Sequence, residues 1–339
     1  MKAAVLEEFH KPLVIREVAI EEPGSDEITV EVKAAGLCLT DVHIRDGRIP
    51  SVTLPRILGH ETSGVVAKKG VEVTDFQIGD RVVICIDVTC GQCDHCLQGE
   101  TTRCSNLNRI GFERNGGMAE FVNVPGANLE KLSENVSFEK ASIIPDAVGT
   151  MYRGLKKMGK VGIGSKVAIL GIGGLGMQGI KIAKLLGANV TGTSRNDVKL
   201  EMAKSIGADL TINTERDDFV ETAKKAVGQF DVVVDCIGTK QSMIDAVSVC
   251  RNGGRAVALG YVDPKLEALF YDVVIREKKI LGARGVSRKE FREVMGLVNA
   301  GLLDPDIGEI IPISQVNQAM EELERGEFLT RSVLRLPFD

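Results

Sequence analysis

The first part of the chain alternates between apolar and polar residues. The alternation is clear in ITVEVKAAGLC (28–38), SGVVAKKG (63–70) and GDRVVICI (79–86), which are separated by glycine-containing turns. Because successive side chains of a strand point to opposite faces, this pattern is typical of strands with one buried face. Roughly the first 150 residues are therefore predicted to be mostly β-structure.

From residue 166 the pattern changes to short apolar segments separated by stretches with helical spacing. The strand-like segments are KVAILG, NVTGTS, DLTIN, DVVVDCIG, RAVALG and KILGAR, and they lie within 166–284. Parallel strands require helical crossovers, so these six strands predict an α/β fold with a doubly wound parallel sheet. A helix, a strand, a second helix and a last strand follow in the tail (287–339), which is left to complete the N-terminal β domain.

Composition and charge narrow the class of protein. The chain has 339 residues, of which 44% are hydrophobic and 26% charged, which favours a globular protein of two domains and excludes disorder. It carries 42 basic and 47 acidic residues, a net charge of −5 that argues against nucleic-acid and membrane-surface partners. The N-terminal MKAAVLEEFHK lacks the apolar core of a signal peptide, so a cytoplasmic location is expected.

A glycine-rich turn follows the first apolar strand of the central segment. G171-I-G173-G-L-G176 fits the G-x-G-x-x-G pattern and opens an amphipathic helix (174–188). Such a turn lets the backbone approach a pyrophosphate, and the helix N-terminus offers free N–H groups to it. The sequence therefore predicts a dinucleotide site here, the alternative being a strand-to-helix turn that binds nothing.

The end of the second central strand indicates which dinucleotide is bound. An NAD site usually has an acidic residue about 20 positions beyond the glycines, on the ribose 2′-hydroxyl. Here Ser194 occupies that position and Arg195 follows it, a pair that suits a 2′-phosphate. Asp197 is the rival acid, but it fits the first turn of the next helix better. NADP is therefore favoured over NAD, and the alternative for Arg195 is an exposed surface arginine.

Eight cysteines are present, and four of them have the spacing C-x2-C-x2-C-x7-C: Cys90, Cys93, Cys96 and Cys104. Four thiolates in a short polar loop can surround Zn²⁺ and leave no open position, so this metal would be structural. His95 lies inside the loop as a substitute ligand. An iron–sulfur cluster and two disulfides are the alternatives, which a reducing compartment disfavours.

A second metal site is indicated by Cys38, in C38-L-T40-D41-V-H43, and by His60, in G59-H60-E61. Cysteine and histidine, joined by an acidic residue from elsewhere, would give three ligands and the open position that catalytic zinc requires. Taken alone, Cys38 could be a buried thiol and His60 a core histidine. The chain has only four histidines, however, and two of them lie in these motifs.

Together these motifs resemble the zinc-dependent alcohol dehydrogenases of the medium-chain dehydrogenase/reductase superfamily, and the likeness covers essentially the whole chain. It implies a GroES-like, β-rich catalytic domain (1–151 and 289–339) with a Rossmann domain (152–288) inserted, and assembly as a homodimer or homotetramer. It also implies two zinc ions per chain, one of them held by Cys38, His60 and Asp146. An aspartate at position 146 resembles the NADP-dependent branch of the family.

The resemblance assigns further roles position by position. Glu61 would lie beside the catalytic zinc, and Asp41 would orient His60. The alcohol proton would leave through Thr40, then the nicotinamide ribose, then His43. Cofactor contacts are expected at the glycine turn, at the ends of the later strands and at a C-terminal arginine thought to meet the pyrophosphate: Thr150, Gly171, Gly173, Gly174, Leu175, Gly176, Ser194, Arg195, Cys236, Gly238, Leu259, Gly260, Ala283 and Arg331.

The function implied is hydride transfer between a small-molecule alcohol, or an aldehyde or ketone in the reverse direction, and a nicotinamide cofactor, with NADP favoured. One alternative is an NAD-dependent relative acting on a polyol, hydroxy acid or acyl thioester alcohol. Another, of a different class, is a non-catalytic zinc-stapled nucleotide-binding sensor or structural protein. The joint presence of Thr40, His43 and the three catalytic zinc ligands speaks against this last alternative.

Overall fold

The computed structural model describes residues 1–262, 265 and 269–338 and divides the chain into two compact units. The first unit comprises Met1–Gly149 and Gly285–Asp339, and the second comprises Thr150–Arg284. Within the described residues, no helix is long and apolar enough to span a lipid bilayer.

The strands, in chain order, are β1 (Lys2–Leu6), β2 (Val14–Glu17), β3 (Glu27–Gly36), β4 (Arg56–Ile57), β5 (Glu61–Lys69), β6 (Arg81–Ile84), β7 (Asp87–Val88), β8 (Asn108–Arg109), β9 (Phe121–Pro125), β10 (Leu129–Lys131), β11 (Lys166–Leu170), β12 (Asn189–Ser194), β13 (Leu210–Asn213), β14 (Phe230–Asp235), β15 (Cys250–Ala258), β16 (Lys279–Gly282), β17 (Ile310–Pro312) and β18 (Val333–Arg335).

The α-helices are α1 (Leu39–Arg45), α2 (Asp94–Leu97), α3 (Phe138–Ser142), α4 (Gly149–Tyr152), α5 (Gly174–Leu185), α6 (Asp197–Ser205), α7 (Phe219–Ala226), α8 (Lys240–Val249), α9 (Phe270–Ile275), α10 (Arg288–Asn299) and α11 (Val316–Glu324). Short 3₁₀ turns cover Thr101–Arg103, Gly126–Asn128 and Ile313–Gln315, and wider π-helical turns cover Ile144–Val148 and Arg153–Met158.

The first unit is built on a seven-stranded sheet in the order β10-β6-β5-β3-β18-β17, with β9 also paired to β3. The long strand β3 alternates between buried and partly exposed residues from Val30 to Ala34, which agrees with the alternation in its sequence, and is buried on both faces nearer its ends. The C-terminal strand β18 pairs antiparallel with β3, so the two ends of the chain share one sheet. A three-stranded sheet (β2-β1-β4) and a two-stranded ladder (β7-β8) complete the β-structure described in this unit.

The register of this sheet brings distant residues side by side. Gly36, at the end of β3, is paired with Glu61 on β5 and with Val333 on β18. A Cβ atom at position 36 would lie 2.1 Å from Oε2 of Glu61, so only glycine leaves room for that carboxylate. The segments around Cys38, His60 and Arg331 consequently meet at one end of β3, β5 and β18.

The second unit contains six parallel strands in the order β13-β12-β11-β14-β15-β16. The predicted doubly wound six-stranded sheet is confirmed. The central strands β11 and β14 contain the unbroken apolar runs VAIL and VVV, as expected where helices cover both faces of a sheet. A buried cluster around Phe230, Val233 and Ala246 forms the core between β14 and α8.

Candidate active site

Three side chains from separate segments of the first unit converge: the thiol of Cys38, the imidazole of His60 and the carboxylate of Asp146. One ligand atom of each lies within 4.8 Å of the others. Oδ2 of Asp146 is 3.5 Å from Sγ of Cys38 and 3.7 Å from Nε2 of His60. A thiolate, an imidazole and a carboxylate are the donors that Zn²⁺ prefers, so this mixed-ligand cluster fits a zinc ion with one further position.

Local structure positions each of the three residues. Cys38 is the N-cap of α1, where its sulfur accepts a hydrogen bond from the backbone N–H of Thr40 at 3.4 Å. His60 immediately precedes β5, and Asp146 lies in the π-helical turn Ile144–Val148. Such turns are rare, and they occur most often at functional sites.

Asp41 contacts both Cys38 and His60. Its carboxylate is fully buried; Oδ2 accepts a hydrogen bond from the N–H of Cys38 at 3.0 Å, and Oδ1 lies 3.3 Å from Nδ1 of His60. A carboxylate on the far nitrogen of a ligating histidine fixes the tautomer that leaves Nε2 free. Nε2 of His60 is the nitrogen that faces Asp146.

Arg331 and Glu61 form a buried ion-pair network beside the cluster. Arg331 is 4% exposed; its Nη2 donates to Oδ2 of Asp146 at 3.2 Å, its Nη1 donates to the carbonyl of Leu37 at 3.3 Å, and its Nε lies 3.4 Å from Oε2 of Glu61. The other Glu61 oxygen accepts a hydrogen bond from the N–H of Ala147 at 2.9 Å. The sequence indicated Arg331 as a cofactor contact but gave no sign of these pairings.

The charged groups of this network shift one another's pKa values. Burial disfavours a protonated His60, but the carboxylates of Asp41 and Asp146 outweigh it and hold the pKa of His60 well above its ordinary value. Burial raises the pKa of Glu61 to about 7 in spite of the neighbouring Arg331. The carboxylates and the Cys38 thiolate more than offset the cost of burying Arg331, whose pKa is raised.

Thr40 and His43 lie three positions apart on α1, on one face of the helix. His43 is half-buried. Burial and, after it, the positive charge of Arg48 lower the pKa of His43 below its ordinary value. A neutral imidazole at neutral pH is a proton acceptor.

The four-cysteine lobe (90–104) brings Cys90, Cys93, Cys96 and Cys104 together, with their sulfur atoms within 4.8 Å of one another. Cys93 caps the short helix α2, which carries Cys96 on its first turn. The sulfurs of Cys90 and Cys104 are 3.5 Å apart, too far for the ~2.0 Å of a disulfide bond. Leu97 in this lobe is 73% exposed rather than packed in an apolar core. Stabilisation of the lobe by four thiolates around Zn²⁺ fits this exposure. His95 is exposed and lies outside the cluster.

The glycine turn of the second unit links β11 to α5. Gly171 has a positive φ of 84°, and a Cβ atom at Gly176 would lie 2.4 Å from the carbonyl oxygen of Gly171. These two glycines are required by the turn itself. At Gly173 a Cβ atom would meet no described heavy atom within 4 Å, so the space beside it fits an approaching phosphate.

The residues at the end of β12 lie where the sequence placed them. Ser194 is the last residue of the strand, Arg195 is exposed, and Asp197 is the first residue of α6. The Asp197 carboxylate accepts two hydrogen bonds from the Arg216 guanidinium, at 2.6 and 2.8 Å, and a third from the Asn213 side chain at 2.9 Å. Asp197 is therefore already paired within this unit.

The other predicted cofactor residues of the second unit lie mostly beyond the carboxyl ends of its parallel strands. Cys236, Gly238, Leu259, Gly260 and Ala283 follow β14, β15 and β16, and Thr150 lies in α4. Asp235, which no sequence motif indicated, organises this edge. Its fully buried carboxylate accepts hydrogen bonds from the N–H groups of Ile237 at 2.9 Å and Gly238 at 3.2 Å, and its carbonyl from that of Gly260 at 3.0 Å. An acidic residue ending an apolar strand was the available signal.

Comparisons with known proteins agree with this arrangement. Residues 24–134 match the family profile of the alcohol dehydrogenase GroES-like domain, and residues 174–300 match that of the zinc-binding dehydrogenases. An alcohol dehydrogenase from Geobacillus stearothermophilus is 36% identical over 338 residues, which cover 99% of this chain and 100% of the relative.

Solved structures extend the comparison to the fold. A crystal structure of an NAD-dependent alcohol dehydrogenase superposes with a TM-score of 0.94 at 33% identity, covering 99% of this chain and 100% of that one. A zinc-binding dehydrogenase from Sinorhizobium meliloti 1021 bound to NADP has a TM-score of 0.90 at 31% identity, covering 99% of both chains. Sequence and fold together show that the chain belongs to the zinc-dependent alcohol dehydrogenases of the medium-chain dehydrogenase/reductase superfamily and is an NAD(P)-dependent oxidoreductase.

Proposed function

We propose that the mixed-ligand cluster of Cys38, His60 and Asp146 holds a zinc ion and is the site at which alcohols are interconverted with aldehydes or ketones. The observation that carries this proposal is the convergence of the three donors within 4.8 Å. When bound, zinc supplies a Lewis acid that lowers the pKa of an alcohol, and the nicotinamide ring accepts the hydride.

Glu61 bears on whether the fourth position stays open. One of its carboxylate oxygens accepts a hydrogen bond from the N–H of Ala147 at 2.9 Å, and the other lies 3.4 Å from Nε of Arg331. Glu61 is not among the three donors that converge within 4.8 Å. An open fourth position is what distinguishes a catalytic zinc site from a structural one.

We assign the proton path to Thr40 and His43. The hydroxyl of Thr40 accepts the proton of the substrate hydroxyl as it gives up its own, and the imidazole of His43 is the final acceptor. The low pKa of His43, caused by its burial and then by Arg48, keeps the imidazole neutral and able to accept this proton at neutral pH.

The four-cysteine lobe is proposed to hold a second, structural zinc ion. Its sulfur atoms already lie within 4.8 Å of one another, and four thiolates complete a tetrahedron with no position for substrate. Metal analysis tests the count: about two zinc ions per chain support the proposal, whereas about one per chain supports a non-catalytic stapled protein.

NADP is the proposed cofactor. Ser194 and Arg195 at the end of β12 provide a hydroxyl and an exposed guanidinium for a 2′-phosphate. The only nearby rival acid in the sequence, Asp197, is bound by Arg216 and Asn213. Its pairing with groups of the protein supports the choice of NADP.

The alternative is an NAD-dependent enzyme acting on a polyol, hydroxy acid or acyl thioester alcohol. An absorbance assay with NADPH and NADH against a panel of aldehydes, ketones and acyl thioesters separates the two. We expect faster oxidation of NADPH with simple carbonyl compounds, and tighter binding of NADH would refute the NADP proposal. A cytoplasmic location and assembly as a homodimer or homotetramer belong to the same proposal.

A further inference from the structure

A short segment joins the four-cysteine lobe to His60. The lobe leaves the main sheet through β7 and returns through β8, and the two strands pair as an antiparallel ladder with Asp87 opposite Arg109. The N–H of Ile110 extends this ladder by donating to the carbonyl of Ile86 at 3.0 Å. Arg109 is therefore fixed at the neck of the lobe.

Arg109 is held rigidly. Its guanidinium donates two hydrogen bonds to the Glu113 carboxylate, at 2.6 and 3.1 Å, and one to the hydroxyl of Ser51 at 2.9 Å. Its Cζ atom lies 4.0 Å from the centre of the Phe112 ring, a cation–π contact. A bidentate arginine–carboxylate pair is geometrically specific, so it fixes the cation over the ring.

Phe112 in turn packs against His60. The two ring centroids are 5.2 Å apart with planes inclined at 53°, and Phe112 and His60 are 6% and 2% exposed. Asp41 contacts the Nδ1 edge of the imidazole at 3.3 Å. The orientation of His60 therefore depends on a carboxylate at one edge and on an aromatic ring beside it.

The backbone of the same segment encloses the residues before His60. The N–H groups of Gly116, Gly117 and Met118 donate to the carbonyls of Ile57, Gly59 and Leu58 at 2.7–3.0 Å. Gly111 has a positive φ of 81°, and a Cβ atom there would lie 2.9 Å from the backbone nitrogen of His60. The segment thus cannot shift without moving His60.

We propose that Phe112 is a positioning residue for His60 and that, through Arg109, it couples the folded state of the four-cysteine lobe to zinc binding by the mixed-ligand cluster. The inference rests on the proposed function, since both clusters must bind zinc. Loss of metal from the lobe then loosens the β7–β8 neck, frees Phe112 and weakens the hold of His60 on its metal.

This inference is tested on the full chain after its metal has been removed. Zinc affinity is then measured by competition with a chromophoric chelator. Cobalt(II) tells the sites apart, because four thiolates and one thiolate give different charge-transfer absorption. The matched variants are Phe112→Leu and Phe76→Leu; Phe76 is a buried phenylalanine of the same core that also lies beneath a cation, Lys131 at 5.6 Å. Phe112→Leu should weaken zinc binding at the mixed-ligand cluster about tenfold, the lower end for partners that orient a metal ligand.

The four-cysteine site should keep its affinity in Phe112→Leu, and Phe76→Leu should leave both sites unchanged. Should Phe112→Leu fail to fold, Arg109→Gln changes a partly exposed side chain and should weaken the mixed-ligand cluster about threefold. The positioning role would be overturned if the mixed-ligand cluster bound zinc as tightly in Phe112→Leu as in Phe76→Leu. The same result for Arg109→Gln, where that variant is used instead, would also overturn it.

A separate experiment tests the coupling between the two sites. Replacing Cys93 and Cys96 by serine opens the lobe and should weaken zinc binding at the mixed-ligand cluster, with a smaller further loss when Phe112→Leu is already present. An unchanged affinity in the serine variant would overturn the coupling. If the unmodified chain binds zinc only in the four-cysteine lobe, the proposed function fails and this inference fails with it. If the unmodified chain binds zinc at both sites but the variants leave the mixed-ligand cluster unchanged, only this inference fails.

Discussion

The Nη2 atom of Arg331 lies 3.2 Å from Oδ2 of Asp146, although 185 residues separate the two positions in the chain. The same guanidinium faces Glu61 at 3.4 Å, so one buried cation offsets two carboxylates beside Cys38 and His60. The relationship follows from the pairing of β18 with β3 and of β3 with β5. A buried charge of this kind is stable only while its partners remain.

Replacing Arg331 by methionine should therefore destabilise the protein strongly. The change leaves the Asp146 and Glu61 carboxylates without their cation, which typically costs about 3–5 kcal/mol of unfolding free energy. Arg335→Met is the matched control, because Arg335 pairs with Glu139 at the surface and should cost less than about 1 kcal/mol. Denaturant unfolding of both variants checks the difference, and equal losses would contradict the role of Arg331.

Replacing Cys38 by serine should abolish turnover while nucleotide binding persists. The thiolate is one of three donors of the mixed-ligand cluster, and a serine hydroxyl is a much weaker ligand for zinc. Cys85→Ala is the control: burial raises the pKa of Cys85 to about 12, so this thiol stays protonated, and its loss should leave activity near normal. Near-normal turnover of the serine variant would show that the reaction occurs elsewhere.

The pH dependence of alcohol oxidation should report His43. A proton acceptor must be neutral, and burial followed by the charge of Arg48 lowers the pKa of His43 below 6.5. The acid limb of the kcat profile is therefore expected below pH 6.5, with activity lost as pH falls through this pKa. Arg48→Met removes a positive charge, so the limb should move to higher pH.

His95→Gln is the control for this profile, because His95 is exposed in the four-cysteine lobe and lies outside the cluster of sulfur atoms. It should leave the acid limb in place, whereas His43→Gln should remove it. An acid limb that is identical in the native enzyme, Arg48→Met and His43→Gln would exclude His43 as the proton acceptor.

Introducing an acid at the end of β12 should reverse the cofactor preference. Ser194→Asp places a carboxylate where a 2′-phosphate is proposed to bind, and repulsion should weaken NADPH binding at least about tenfold, or about 1.4 kcal/mol. NADH should bind as well as before or better. Ser205→Asp adds the same charge to an exposed position at the end of α6 and should change neither affinity, as measured by fluorescence titration.

Local patterns predicted much of the molecule because their physical causes are local. The apolar runs that became β11, β12 and β14 indicated a parallel sheet, and the glycine turn at 171–176 follows the first of them. The spacing from Cys90 to Cys104 is short enough for a single loop to bring four sulfurs together. The family was identified from these motifs, and the comparisons confirm it.

Other features could not be predicted from local patterns. The segment that contains Asp235 was predicted as a strand with an acidic residue at its end, but its sequence did not show that this carboxylate would accept hydrogen bonds from the N–H groups of Ile237 and Gly238. Phe112 and Arg109 belong to no motif, and their contacts with His60 and Glu113 depend on how the chain leaves the four-cysteine lobe. Side-chain pairs of this kind come from chain segments whose meeting is decided by packing.

The sequence by itself determined the elements, the class of fold and the chemistry on offer, because hydrophobic period and short ligand spacing act over a few residues. Only the tertiary structure decided which charges face each other. Arg331 reaches Asp146 and Glu61 because β18, near the C-terminus, pairs with β3. The register of strands so far apart in the sequence is fixed by the whole sheet. The electrostatics of the site is therefore a property of the fold rather than of any motif.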